Sequence, residues 1–165
     1  MEGNMTNRIA HPFPPIYNKE SEILILGSFP SVKSREGEFY YHHPQNRFWK
    51  VISRLYGEEL PLTIEEKKEM LLRNRIALWD VIQSCEITGS SDSSIRNVIP
   101  NDIATIIKEA KILKLFANGG TAYRLYKKYI LPETGRDIIK LPSTSPANAA
   151  FSLDRLIEEW TYIIL

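Results

Sequence analysis

Glu22-Ile23-Leu24-Ile25-Leu26-Gly27-Ser28-Phe29-Pro30-Ser31 is the stretch whose reading decides the fold. From Ile23 to Leu26 it is apolar at every position, without the alternation of a strand that keeps one face in water. A strand covered on both faces has that pattern, and such strands belong to parallel sheets flanked by helices. The second half is a turn of small residues carrying a proline, which breaks the strand. Three further runs have the same continuous character, at 76–81, 112–117 and 138–141, and each is predicted to be a strand buried on both faces.

Between these runs the apolar period changes. Phe48, Val51, Ile52 and Leu55 recur at i, i+3, i+4 and i+7, as do Ile103, Ile106, Ile107 and Ala110, then Ala122, Leu125, Tyr126 and Tyr129, and finally Leu153, Leu156, Ile157 and Trp160. Each set is one face of an amphipathic helix. A fifth helix is predicted after Leu62, where Thr63 followed three residues later by Glu66 has the form of a capping box. Strands alternating with helices give an α/β fold, three layers deep, around a mostly parallel four-stranded sheet. The Pro-rich opening His11-Pro12-Phe13-Pro14-Pro15 reads as part of an extended lead-in over 1–20.

Composition bounds what such a domain can be. The 165 residues, 43% apolar and 25% charged, are enough for one domain that folds without a disulfide or structural metal. The single Cys85 agrees, because it has no partner for a bridge. No apolar run approaches the length of a bilayer and the start lacks the layout of a signal peptide, so a cytoplasmic protein is expected. With 21 basic against 20 acidic side chains the net charge is +1, which excludes a simple polycation but leaves room for one basic face. Residues 108–140 hold eight basic side chains against three acidic ones, and Arg35, Arg47 and Lys50 add charge near the first loop. A solvated helix face is the ordinary reading of such a run.

The loops after the four strands leave the same edge of the sheet, where ligands of open α/β folds bind. They are Gly27-Ser28-Phe29-Pro30-Ser31, the Ser-rich segment 84–97, Asn118-Gly119-Gly120-Thr121, and Pro142-Ser143-Thr144-Ser145-Pro146-Ala147-Asn148. Small residues, N–H donors and hydroxyls dominate them and carboxylates are scarce, a chemistry suited to phosphate. Neither a Walker loop nor a dinucleotide fingerprint is present. Asp92 admits a structural and a functional reading equally, whereas Asp80, inside an apolar run, reads as a satisfied polar group at a strand end. Glu38-Phe39-Tyr40-Tyr41-His42-His43-Pro44-Gln45-Asn46-Arg47-Phe48-Trp49 is the densest segment. It is either core aromatics with Asn46 as a helix cap, or an aromatic platform for a planar ring with an amide beside it. Adjacent histidines without a carboxylate or thiol at ligand spacing do not make a metal site.

Taken together, these residues resemble the uracil-DNA glycosylase superfamily, and within it the hypoxanthine-DNA (deoxyinosine) glycosylase branch related to the mismatch-specific uracil-DNA glycosylases. The resemblance covers 23–148. It is carried by a strand entering a Gly-x-x-Pro loop, an aromatic two residues before His-Pro, the run His43-Pro44-Gln45-Asn46-Arg47-Phe48-Trp49, and the second motif Leu141-Pro142-Ser143-Thr144-Ser145-Pro146-Ala147-Asn148. Two departures stand out. Phe29 occupies the place where the mismatch-specific relatives carry a water-orienting Asn, and Leu141 the place where uracil enzymes carry a His that stabilises the leaving base.

What the resemblance implies is an enzyme that flips a deaminated base, foremost hypoxanthine, out of DNA and hydrolyses its N-glycosidic bond. Asn46 is then the catalytic residue, with Gly27, Ser28, Phe29, Tyr41, His43, Asp92 and Asn118 around the base, Tyr41 stacking on it. Ser31, Arg47, Pro142, Ser143, Thr144, Ser145 and Pro146 would engage the DNA, the last five as a wedge that grips flanking phosphates. No cofactor or metal is expected, the partner is damaged DNA rather than membrane, and the protein is expected to be a monomer. A uracil or thymine mismatch enzyme, a catalytically silent DNA-binding relative and a hydrolase of free nucleosides or nucleotides remain as alternatives.

Overall fold

A computed structural model describes residues 8–164, so residues 1–7 of the expected lead-in and residue 165 lie outside the described residues. The chain runs β1 (Arg8–Ala10), β2 (Ile23–Gly27), α1 (Val32–Gly37), α2 (Phe48–Leu55), α3 (Ile64–Arg73), β3 (Ile76–Asp80), β4 (Ile82–Glu86), β5 (Arg96–Pro100), α4 (Ile103–Glu109), β6 (Lys114–Asn118), α5 (Gly120–Tyr129), α6 (Leu131–Thr134), β7 (Ile139–Leu141) and α7 (Leu153–Trp160). The four strands predicted from continuous apolar runs form one sheet in the order β3-β2-β6-β7, with every pair parallel.

The alternation hidden inside the run of β2 now has a direction. Ile23 and Ile25 enter a core built with Phe48, Val51, Ile52, Leu156 and Trp160, on the side of α2, α3 and α7. Leu24 and Leu26 enter a second core with Ile103, Ile106, Ala122 and Tyr126, on the side of α4 and α5. Both faces of β2 are therefore apolar because each has its own helical layer, and all five residues of the strand are buried. The α3 capping box forms as expected, Thr63 Oγ1 accepting from the Glu66 N–H at 3.1 Å while the Glu66 carboxylate takes the Thr63 N–H at 3.1 Å.

Two expectations need correction. β7 is an edge strand whose Ile139 and Lys140 are exposed, so it is not covered on both faces. The segment 84–97 is not one loop: its ends belong to β4 and β5, which with β1 make a separate antiparallel sheet in the order β1-β4-β5. These strands escape a hydrophobic-pattern reading because Gln83, Ser84 and Glu86 interrupt one and Arg96, Asn97 and Pro100 the other. The described part of the lead-in packs against the domain. Ile16 makes an antiparallel bridge to Leu78, and Phe13 and Ile16 are buried. The His11 N–H donates to Gln83 O at 2.7 Å, which carries the His11 side chain to the carboxyl end of β3.

Candidate active site

The carboxyl ends of β2, β3 and β6 and the loops beyond them enclose a cavity of about 420 Å³. Gly27, Ser28, Phe29, Ser31, Tyr41, Asn46, Asp92, Asn118, Ser143, Thr144 and Ser145 lie on its wall. Pro142 lies on the wall of an adjoining cleft of about 610 Å³, beside Gly119, Gly120 and Lys140. His43 and Pro146 line neither. The His43 Nδ1 accepts the Gln45 N–H at 3.0 Å and so shapes the turn into α2 instead of facing a base.

Asn46 and the second motif are joined by one buried hydroxyl. Asn46 Oδ1 accepts from the Phe48 N–H at 2.9 Å and from Thr144 Oγ1 at 2.8 Å. A backbone N–H only donates, so the atom facing it must be the amide oxygen, and the orientation of the carboxamide is fixed. Thr144, fully buried, receives Asn118 Nδ2 on its hydroxyl at 3.0 Å and donates its own N–H to Asn118 Oδ1 at 3.0 Å. The Asn46 NH₂ is left without a protein partner among the described residues, at the cavity wall. Asn46 is thus not a simple helix cap, because its oxygen closes a link from the start of α2 to the loop after β7 and its nitrogen is offered to a ligand.

Arg47 takes a different place from the phosphate contact expected of it. Its guanidinium turns inward to the loop after β7, giving Nη2 to Ser145 O at 2.8 Å and Asn148 O at 3.1 Å, Nε to Thr144 O at 3.4 Å, and Nη1 to Phe151 O. Arg35 is spent in the same way, on Pro30 O at 3.2 Å and Gly89 O at 3.0 Å, so the first loop is less basic than its sequence suggested. Within the Pro-Ser loop, Ser143 Oγ accepts the Ser145 N–H at 3.1 Å and Ser145 Oγ the Ala147 N–H at 3.1 Å. Each hydroxyl keeps its own hydrogen for a ligand.

Tyr41, in the left-handed region at φ 52°, lays one face on Phe48 with ring centroids 4.2 Å apart and planes 25° from parallel. Its hydroxyl is buried without a hydrogen-bond partner among the described residues. Burial, reinforced by the Asp80 charge, pushes the phenol far above its ordinary pKa, so the group stays a donor. Gly27 is what lets these groups meet: a Cβ there would stand 2.4 Å from Asp80 Oδ1 and 3.0 Å from the Tyr41 oxygen. Gly27→Ala is expected to cost about 1–3 kcal/mol of stability and to fill the floor of the cavity. Thermal melting and substrate binding check this, and a variant matching the wild type in both would show that the wall yields.

Neither Asp80 nor His11 is expected at the site from the sequence. Asp80 is 3% exposed and its Oδ2 lies 2.7 Å from His11 Nε2, as expected of a satisfied polar group, yet it also lines the cavity. The only sequence signal was a carboxylate at the end of an apolar strand; its histidine lies 69 positions away. Asp92 stands at the mouth, between cavity and cleft, with Ser28 Oγ at 3.5 Å. Crowding by the protein raises its pKa, against the pull of the Thr121 and Ser28 hydroxyls and of Arg124. Asp92→Asn is expected to leave the chemistry within about threefold and to tighten duplex binding by removing a negative charge near phosphate; electrophoretic titration at fixed salt reads the second effect.

A cavity at the strand ends, a fixed amide on its wall and hydroxyl loops at its rim make a candidate site for a polar ligand. A model of the uracil DNA glycosylase superfamily matches residues 14–162. The chain belongs to that superfamily. Among its relatives are a hypoxanthine DNA glycosylase of Methanosarcina acetivorans, 37% identical over 153 residues, covering 92% of this chain and 96% of the relative. A hypoxanthine DNA glycosylase of Methanosarcina barkeri is 36% identical over 137 residues, covering 82% and 86%. The solution NMR structure of an M. acetivorans protein described as a candidate uracil DNA glycosylase superposes with a TM-score of 0.79 at 36% identity, covering 92% of this chain and 94% of that one. Phe29 is nearly buried on the cavity wall and Leu141 is buried in β7, so both positions where the resemblance marks a departure are apolar.

Proposed function

We propose that this protein is a monofunctional DNA glycosylase that flips hypoxanthine out of DNA and hydrolyses its N-glycosidic bond, acting as a monomer in the cytoplasm and leaving an abasic site. The observation that carries the reading is the fixed orientation of Asn46, whose oxygen is held by Phe48 and Thr144 while its NH₂, on a residue of the cavity wall, has no protein partner among the described residues. In the hydrolysis the bond from C1′ to the base breaks with its electron pair passing to the base, water adds to C1′, and the proton the water loses is balanced by the one the departing base takes up. Positive charge develops on the sugar and negative charge on the ring. An amide NH₂ answers the second of these, stabilising the departing ring by hydrogen bonding; it cannot take a proton from water. The reaction this site favours is therefore dissociative, driven by the leaving group.

The names of the Methanosarcina relatives support hypoxanthine as the base, and the apolar Phe29 and Leu141 weigh against the uracil enzyme's chemistry. Thr144, held between Asn46 and Asn118, ties the DNA-facing loop to the catalytic amide, so insertion of that loop and presentation of the donor are coupled.

The deciding experiment incubates excess protein with duplexes carrying hypoxanthine, xanthine, uracil or a thymine mismatch and identifies the free base released. Hypoxanthine release with an alkali-labile strand is the expected result. Release of uracil or thymine alone would assign the mismatch enzyme, binding without any free base would assign a silent DNA-binding relative, and either would overturn the proposal.

A further inference from the structure

We propose that Asp80, with its proton trapped by His11, is the specificity-determining group of the cavity against adenine, reading the N1–H that deamination gives that base. The inference rests on the glycosylase reading and deepens it. His11 lies between two acceptors: Nδ1 is 2.8 Å from the Phe13 carbonyl oxygen and Nε2 is 2.7 Å from Asp80 Oδ2. A carbonyl only accepts, so Nδ1 carries a hydrogen, and the short contact to Oδ2 requires one further proton between Nε2 and the carboxyl. Whether that proton sits on nitrogen or on Oδ2, it is not on Oδ1. The side chains of this pair are 3% and 5% exposed, so water does not compete for the proton.

Oδ1 is therefore a pure acceptor, and it is the carboxyl oxygen that approaches Gly27. No group donates to it among the described residues. The buried Tyr41 hydroxyl approaches the same vacant Cβ position, 3.0 Å from it against 2.4 Å for Oδ1. Oδ1 is the acceptor that a lactam N1–H requires, and the buried phenol beside it packs the floor of the cavity. Adenine carries the opposite pattern, a lone pair on N1 and hydrogens on N6, and would set its lone pair against Oδ1. Depth agrees with this role. A flipped base leads with its Watson–Crick edge, which meets deeply buried Asp80, while its glycosidic bond stays outward near half-buried Asn46.

His11 is a positioning residue in this scheme. Without it the carboxyl could carry a proton on Oδ1 and donate to N1 of adenine, so His11 protects discrimination more than it protects binding.

The test measures single-turnover excision of hypoxanthine and of unsubstituted purine, which lacks both N1–H and O6, in otherwise identical duplexes. Wild-type protein is expected to prefer hypoxanthine by about a hundredfold or more. Asp80→Leu should bring that ratio close to one, with affinity for a duplex holding a stable abasic analogue unchanged. Asp80→Asn covers the case in which the leucine variant fails to fold. Its NH₂ would donate to the neutral His11 Nε2 and leave its oxygen facing the cavity, so the ratio should survive within about tenfold. His11→Phe should lower the ratio, and His11→Gln, which still donates to Oδ2, should restore part of it. An unchanged ratio in a folded Asp80→Leu protein overturns the inference, as does a ratio abolished in Asp80→Asn. Absence of hypoxanthine release by the wild type would instead overturn the glycosylase reading itself.

Discussion

Asn46→Asp should fold as the wild type does and lose base excision by about a hundredfold to a thousandfold. An aspartate keeps the oxygen that accepts from the Phe48 N–H and from Thr144 Oγ1, so the link between α2 and the loop after β7 remains. What it removes is the NH₂ donor, and in its place stands a second oxygen that repels charge growing on the departing ring. The substitution separates two mechanisms that alanine would confound. If Asn46 oriented an attacking water, a carboxylate would be the stronger base and the rate should hold or rise; if it stabilises the leaving base, the rate should collapse. Single-turnover kinetics on a hypoxanthine duplex, beside a melting curve, reads the outcome, and a rate at or above that of the wild type would sink the donor assignment.

Arg47→Leu is expected to be the most damaging change outside the reacting atoms. The guanidinium bonds four carbonyl oxygens, those of Thr144, Ser145, Asn148 and Phe151. Leucine removes a charged donor from each: the Thr144, Ser145 and Asn148 carbonyls keep the backbone N–H groups of Arg47, Asn148 and Phe151, and the Phe151 carbonyl alone is left without one, at a total cost of about 3 kcal/mol, which for a domain of this length lowers the melting temperature by roughly 6–12 °C. Excision should fall with it, because Thr144 positions Asn46 and Ser143 and Ser145 stand at the rim. Arg47→Lys should rescue little, since one ammonium cannot reach four separated carbonyls as the planar fork does. Wild-type stability in the leucine variant would show that Pro142, whose carbonyl accepts from Trp160 Nε1 at 2.8 Å, and the loop's own serine turns are sufficient to hold it.

These two residues, neighbours in sequence, mark the boundary of what the sequence made legible. The central sheet could be read from it because burial on both faces leaves an unbroken apolar run, as in β2, and because helices packed on one side repeat every three to four residues. The second sheet could not, because β4 and β5 are short, interrupted by Gln83, Ser84, Arg96 and Asn97, and owe their pairing to each other and to β1. The gathering of Gly27, Tyr41, Asn46, Asn118 and Thr144 in one cavity followed from the topology of parallel strands, whose carboxyl ends point one way. Asn46 was named from its motif, but whether its amide would cap, bind water or donate depended on which atom faced Phe48.

Charge shows the same limit. The near balance of 21 basic and 20 acidic side chains, and the positive stretch at 108–140, are facts of the sequence. Yet Arg35, Arg47 and Arg136 all turn to backbone carbonyls, Arg136 to that of Ile112 at 2.9 Å, and are spent on holding loops. A count of residues cannot tell a surface cation from one that has found internal acceptors.

By itself, the sequence determined the α/β layering, the strand edge where a ligand would bind, and the two motifs that face each other there, because hydrophobic period and turn chemistry act over a few neighbouring residues. Tertiary structure alone decided the direction of the Asn46 amide, the inward turn of Arg47 and the meeting of His11 with Asp80 across 69 positions. Those are matters of donors finding acceptors in three dimensions, and a hydrogen bond between distant residues leaves no period in the chain to be read.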